Sequence, residues 1–163
     1  MALPIQADTD TGDHLGVSDS AAWRVVGAAV RGISHERLDL PCQDAQGFRV
    51  LPGGILLAVI ADGAGTAAFS DQAARVAVEE TLRSLEAALE DARPANPGEW
   101  EDLLASAFFS ARQAVIELAD QSGENPREYA CTLVGIAAAG DGLVAGQIGD
   151  GAVVAPCVND ELF

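Results

Sequence analysis

Lysine is missing from this 163-residue chain: all nine basic residues are arginine, set against 25 Asp and Glu, for a formal charge of −16. Such a surface repels phosphate backbones and anionic lipid, so neither nucleic acid nor a membrane surface is expected as a partner. CxxC pairs are missing as well. Cys42, Cys131 and Cys157 are odd in number and widely spaced, which suggests neither a disulfide framework nor a zinc site. They read as small apolar fillers in a reduced compartment. The first twenty residues lack the basic start and apolar centre of a signal peptide, and no apolar run approaches the length of a membrane span. A cytoplasmic protein is expected.

What is present is enough apolar residue, 49% of one domain's length of chain, to bury a real core. The centre of the pattern is Gly54-Ile55-Leu56-Leu57-Ala58-Val59-Ile60-Ala61-Asp62-Gly63-Ala64-Gly65-Thr66. Its unbroken Ile, Val and Leu run reads as a strand buried on both faces. The run stops at a carboxylate followed by two glycines, where backbone can approach a ligand closely.

Residues 1–21 read as a flexible, acidic arm that includes His14, and 22–163 as the domain. Trp23 to Arg31 looks like a first strand. Gly32 to Ala45 is a loop dense in ionisable groups, and Gln46 to Leu51 a second strand. Pro52-Gly53-Gly54 is a hairpin turn into the apolar strand, so the two strands are expected to be antiparallel neighbours. That pairing would bring Gln43 and Asp44 beside Asp62.

From Ser70 the period becomes helical. Ala74, Val78, Leu82, Leu85 and Leu89 make one stripe, with Ser70 or Asp71 as cap and Glu79–Arg83 as an i,i+4 pair. Asn96-Pro97-Gly98-Glu99 restarts a helix with a capping box, and its aromatics Trp100 and Phe108 read as core. Gln121 to Glu128 reads as a loop. Strands are then expected over Tyr129–Ala139, Leu143–Ile148 and Ala152–Cys157, with breaks at Gly140-Asp141-Gly142 and Gly149-Asp150-Gly151. Hairpins rather than parallel crossovers argue for an α+β fold with antiparallel sheet.

Gln43-Asp44-Ala45 with His35 upstream, Val59-Ile60-Ala61-Asp62-Gly63-Ala64-Gly65, Thr132-Leu133-Val134 and Ile148-Gly149-Asp150-Gly151 occur in this order over about residues 22 to 157. Together they resemble the metal-dependent Ser/Thr phosphatases of the protein phosphatase 2C (PPM-type) family, the bacterial branch most. The resemblance implies two mostly antiparallel β-sheets packed as a sandwich with antiparallel helix pairs outside. It also implies two Mn²⁺ or Mg²⁺ ions, with a third in a weaker site. Asp62 would bridge the two ions, Gly63 would offer its carbonyl, Gln43 and Asp44 would hold bound waters, and Asp150 would serve the additional site. Hard cations prefer such oxygen donors, and two of them about 4 Å apart activate a water for in-line attack on a phosphoryl group. Catalysis would rest on Asp62 and Asp44, and the substrate would be a phosphoprotein, one made by a Ser/Thr kinase.

The pattern departs from the family at several places. Gln43 stands where many members have Glu, Ala64 where eukaryotic members often carry His, and Asp39 where a phosphate-binding Arg is usual. His35 or Arg37 is then the candidate for the substrate phosphate. Two further metal-ligand aspartates would come from a C-terminal portion, so this chain is expected to be the N-terminal part of a longer catalytic domain and weakly active or inactive alone. The alternative reading is a non-catalytic phosphatase-like module that binds a phosphoprotein or another partner.

Overall fold

The computed structural model describes residues 14–19 as backbone, and residues 23–140 and 142–155 in full. The apolar run forms β4 (Ile55–Asp62), joined to β3 (Asp44–Leu51) by a tight turn. Gly53 and Gly54 in that turn have φ of 82° and 76°, a region L side chains rarely enter. β5 (Leu133–Ala139) and β6 (Gly142–Ile148) complete an antiparallel sheet in the order β3-β4-β5-β6.

The pleat sends alternate residues of β4 to opposite faces. Ile55, Leu57, Val59 and Ala61 pack under two long helices, α2 (Ser70–Asp91) and α3 (Pro97–Ser122). Leu57 and Leu85 are fully buried there, and Leu82, Leu104 and Phe108 close the layer. The link between the helices spans only 92–96, so α3 folds back along α2. Asn96 caps α3: its Oδ1 accepts the Glu99 N–H (3.1 Å), and Glu99 Oε2 accepts the Ala95 N–H (2.7 Å). Asn96 is the expected cap, while Glu99 reaches back to the Ala95 N–H, one residue before the N–H that a capping box would use.

The opposite face of the sheet carries a two-stranded antiparallel ribbon, β1 (His14–Asp19) with β2 (Arg24–Ala29). Gly27 of β2 lies directly on the Gln46 side chain of β3. Trp23 Nε1 donates to the Gly54 carbonyl (2.7 Å), tying the ribbon to the β3–β4 turn. The fold is thus α+β, with antiparallel sheets stacked face to face and the helix pair outside.

Several local expectations are corrected. His14–Asp19, read as part of the arm, form a strand. An exposed strand edge offers free N–H and C=O groups, and a six-residue segment with only Leu15 and Val17 in alternation can pair with it. Residues 33–38, read as loop, form a short helix α1 (Ile33–Leu38) with no buried residue, too short to show a period. It ends at Asp39 in the left-handed region (φ 53°), where Leu40 N–H bonds the His35 carbonyl (2.9 Å). The residue entering α2 is Phe69, with no side-chain cap; Ser70 is buried in the first turn. Arg83 pairs with Glu80, at 2.6 and 2.8 Å, and not with Glu79. Pro126–Tyr129 form a single 3-10 turn, so β5 starts four residues later than Tyr129. Ala152–Ala155 are not a strand: Gly151 sits on Val134, carrying the chain over the sheet face instead of along β6. Cys157, and the rest of the expected last strand, lie outside the described residues.

Candidate phosphatase centre

The site grows out of strand register. Asp44 opens β3 and Asp62 closes β4, and the two are direct partners across the ladder. Both side chains therefore leave the same face, the one away from the helices. Beyond this pair, Gly63 N–H donates to the Gln43 carbonyl (3.1 Å) and Ala64 N–H to the Ala130 carbonyl (2.9 Å). On the other side Thr132 holds Asp62 twice: its N–H bonds the Asp62 carbonyl (2.8 Å), and its Oγ1 accepts the Asp62 N–H (3.0 Å). A rigid, three-strand junction thus fixes the Asp62 backbone.

Gly63 is the tightest point of this junction. A Cβ there would lie 2.7 Å from the Gln43 carbonyl oxygen and 2.9 Å from both Cβ and Oγ of Ser70. The need is for absent volume, since the Gly63 φ is ordinary. Its N–H is taken by Gln43, whereas no hydrogen bond to its carbonyl is found among the described residues.

Asp44 and Asp62 line a cavity of about 440 Å³, walled by Ala28, Ala29 and Val30 of the ribbon side and by Thr132, Val134 and Gly151 opposite. Asp150, exposed in the bend after β6, lines the same cavity. The structure therefore brings Asp44, Asp62 and Asp150 to one hollow. His35 reaches the edge of the site from α1: its Nε2 lies 2.9 Å from Gln43 Oε1. Arg37 is exposed and has no hydrogen bond or ion pair among the described residues. Arg31, which the sequence reading did not single out, directs Nη1 to the Leu40 carbonyl (3.4 Å) and supports the turn after α1.

The Asp44 carboxyl is held above the usual carboxylate range. Partial desolvation of the carboxyl is the main cause, although the residue as a whole is exposed, followed by a hydrogen bond to the Asp62 carboxyl and that group's negative charge; His35 works in the opposite direction. Two carboxyls in hydrogen-bond contact resist being ionised together unless a proton or a cation lies between them. The donor set is all oxygen: two carboxylates, a free backbone carbonyl and a third carboxylate in the cavity wall. That suits a hard divalent cation in kind. In number it falls short, because no group of three or more His, Cys, Asp or Glu side chains is gathered closely enough to hold a metal among the described residues.

A chain with this antiparallel helix-backed sheet and this paired Asp44–Asp62 register matches the family model for protein phosphatase 2C over residues 31–162, and it belongs to that family. Among curated proteins it is similar to serine/threonine-protein phosphatase 3 of Escherichia coli (strain K12), 31% identical over 137 residues. The match covers 82% of this chain and 53% of the relative, so the chain spans about half the length of the protein it resembles. No helix among the described residues is long and apolar enough to cross a membrane.

Proposed function

We propose that this chain contributes to a protein Ser/Thr phosphatase, with the Asp44–Asp62 face as its centre and phosphoserine or phosphothreonine proteins as substrates. The reaction is hydrolysis of a phosphomonoester: a P–O bond forms to water, the P–O bond to the Ser or Thr oxygen breaks, and the leaving oxygen takes a proton. The observation that carries the reading is the register that sets Asp44 opposite Asp62 beside Gly63, within a chain of this family.

Asp62, Asp44, the Gly63 carbonyl and Asp150 are the groups that would hold Mn²⁺ or Mg²⁺, with Gln43 reaching a bound water. Such ions supply an acidified water and positive charge for the phosphoryl oxygens. The chain's own residues supply the rest. Thr132 and the Gln43 carbonyl hold the Asp62-Gly63 backbone in place, so the carboxylate needs little reorganisation. Val30 and Val134 add apolar surface to the wall of the same cavity. His35 contacts Gln43, and His35 or Arg37 is the candidate in this reading for the substrate phosphate. Asp39 offers no such contact, being an acid. A reduced, cytoplasmic setting is part of the same reading.

The test is Mn²⁺-dependent phosphate release from a phosphothreonine peptide and from a small aryl phosphate. This chain, any longer natural chain that contains it, and Asp62→Asn in each are compared. Metal-dependent release that falls by a factor of at least about 10² in Asp62→Asn supports the reading. Protein that binds the phosphopeptide without hydrolysing it, with or without Mn²⁺, replaces the enzyme by a phosphatase-like binding module.

A further inference from the structure

On the helix side of the sheet, behind the site, a groove of about 340 Å³ runs between α3 and the β5–β6 strands. Phe108, Val115, Ile116, Tyr129, Cys131 and Ile148 line it, and Ile148 is half exposed at its margin. Arg112 of α3 and Arg127 of the 3-10 turn stand in the same lining. Three other arginines are matched with acids: Arg49 with Glu86, Arg75 with Asp71 and Arg83 with Glu80. Neither the Arg112 nor the Arg127 guanidinium has a hydrogen bond or ion pair among the described residues. In a chain with 25 acids and nine arginines, these two guanidiniums place positive charge beside one apolar groove whose lining holds no acid.

We propose that this groove docks an acidic peptide segment of a partner protein, one that carries a large apolar side chain between carboxylates. The apolar side chain would cover Ile116, Val115 and Ile148, removing their exposed surface from water. The carboxylates would meet Arg112 and Arg127, whose planar forks accept them bidentately. An acidic segment is repelled by the remainder of a −16 surface, so the same charge pattern that attracts it here rejects it elsewhere. The groove also reaches the back of the Asp44–Asp62 junction. Its lining includes Ala130 and Cys131; Ala130 accepts the Ala64 N–H, and Cys131 is the ladder partner of Gly63. A docked segment would therefore touch the strand that holds the Asp62-Gly63 turn. The surface is separate from the phosphatase centre and does not depend on the activity proposed for it.

The probe is a fluorescein-labelled Glu-Asp-Leu-Phe-Asp-Glu peptide titrated with the 163-residue chain and followed by fluorescence anisotropy. A second peptide has Lys at each acidic position. The expected result is saturable binding of the acidic peptide only. It should weaken by at least about tenfold in the double variant Arg112→Glu/Arg127→Glu, which alters exposed side chains and leaves the core untouched. Ile116→Ser should weaken it as well, through the apolar wall. Absence of binding, equal binding of the basic peptide, or unchanged affinity in the double variant overturns the proposal. So does a concentration-dependent dimer that the double variant dissociates, since the occupant would then be a second copy of the chain.

Discussion

Replacing Gly63 by alanine would place a methyl group 2.7 Å from the Gln43 carbonyl oxygen and 2.9 Å from Ser70 Cβ and Oγ. The oxygen cannot move aside, because it accepts the Gly63 N–H itself at 3.1 Å. Ser70 cannot either, being fully buried in the first turn of α2. The strain therefore goes into the backbone, at a cost of about 1–3 kcal/mol for an overpacked site. For a domain of this size each kcal/mol lowers Tm by about 2–4 °C, so a fall of about 2–12 °C is expected. The same displacement pulls Asp62 out of register with Asp44, so cation binding should suffer beyond what the lost stability explains. Gly140→Ala is the control, because no atom lies within 4 Å of the Cβ it would add. Calorimetric melts in chelator, followed by Mn²⁺ titration of the folded variant at low temperature, separate the two effects. A Gly63→Ala protein that melts with the wild type and binds Mn²⁺ equally well would refute the packing argument.

Other expectations can be checked on the same chain. Asn96→Ala removes the acceptor for the Glu99 N–H and should lower stability by about 1 kcal/mol in urea denaturation. Leu57→Ala opens a cavity at a fully buried position between the sheet and the helices, and a loss of about 2–5 kcal/mol is expected from the same measurement. Asp44 has a folded-state pKa above that of the unfolded chain. The metal-free protein therefore loses stability as pH rises from the usual carboxylate range through the raised folded value, and the penalty is fully present at neutral pH. Asp44→Asn should accordingly melt higher than wild type near pH 7 in chelator, with the difference shrinking as pH falls; a difference independent of pH would contradict this.

The helix pair and the central hairpin were legible because their signals are long or local. The α2 stripe and the Asn96 cap read directly, and a short turn between two strands left the antiparallel register as the only pairing. That register is also why Asp44 and Asp62 could be linked before any coordinates. The shortest elements were not legible: β1 and α1 have six residues each, too few for a period to stand out. Arg83 chose Glu80 over Glu79 because both lie within reach one turn back, and side-chain geometry decides between i,i+3 and i,i+4 partners. The groove with Arg112 and Arg127 was invisible for a different reason. It is assembled from residue 77 and from residues within 108–116, 126–133 and 148, which only packing brings together. The family features that Gln43, Ala64 and Asp39 lack were legible as departures. What replaces them depends on where His35 and Arg37 reach, and the structure shows His35 against Gln43.

The measurement that tests the central claim most directly is a calorimetric titration of Mn²⁺ into this chain and its Asp44→Asn and Asp62→Asn variants, at one neutral pH. The account predicts measurable binding by the wild type, a weakening of at least about tenfold for each variant, and the larger loss for Asp62→Asn, since Asp62 sits at the junction of all three strands. Binding of equal strength in all three proteins would contradict it, because the paired carboxylates would then not be the cation's ligands.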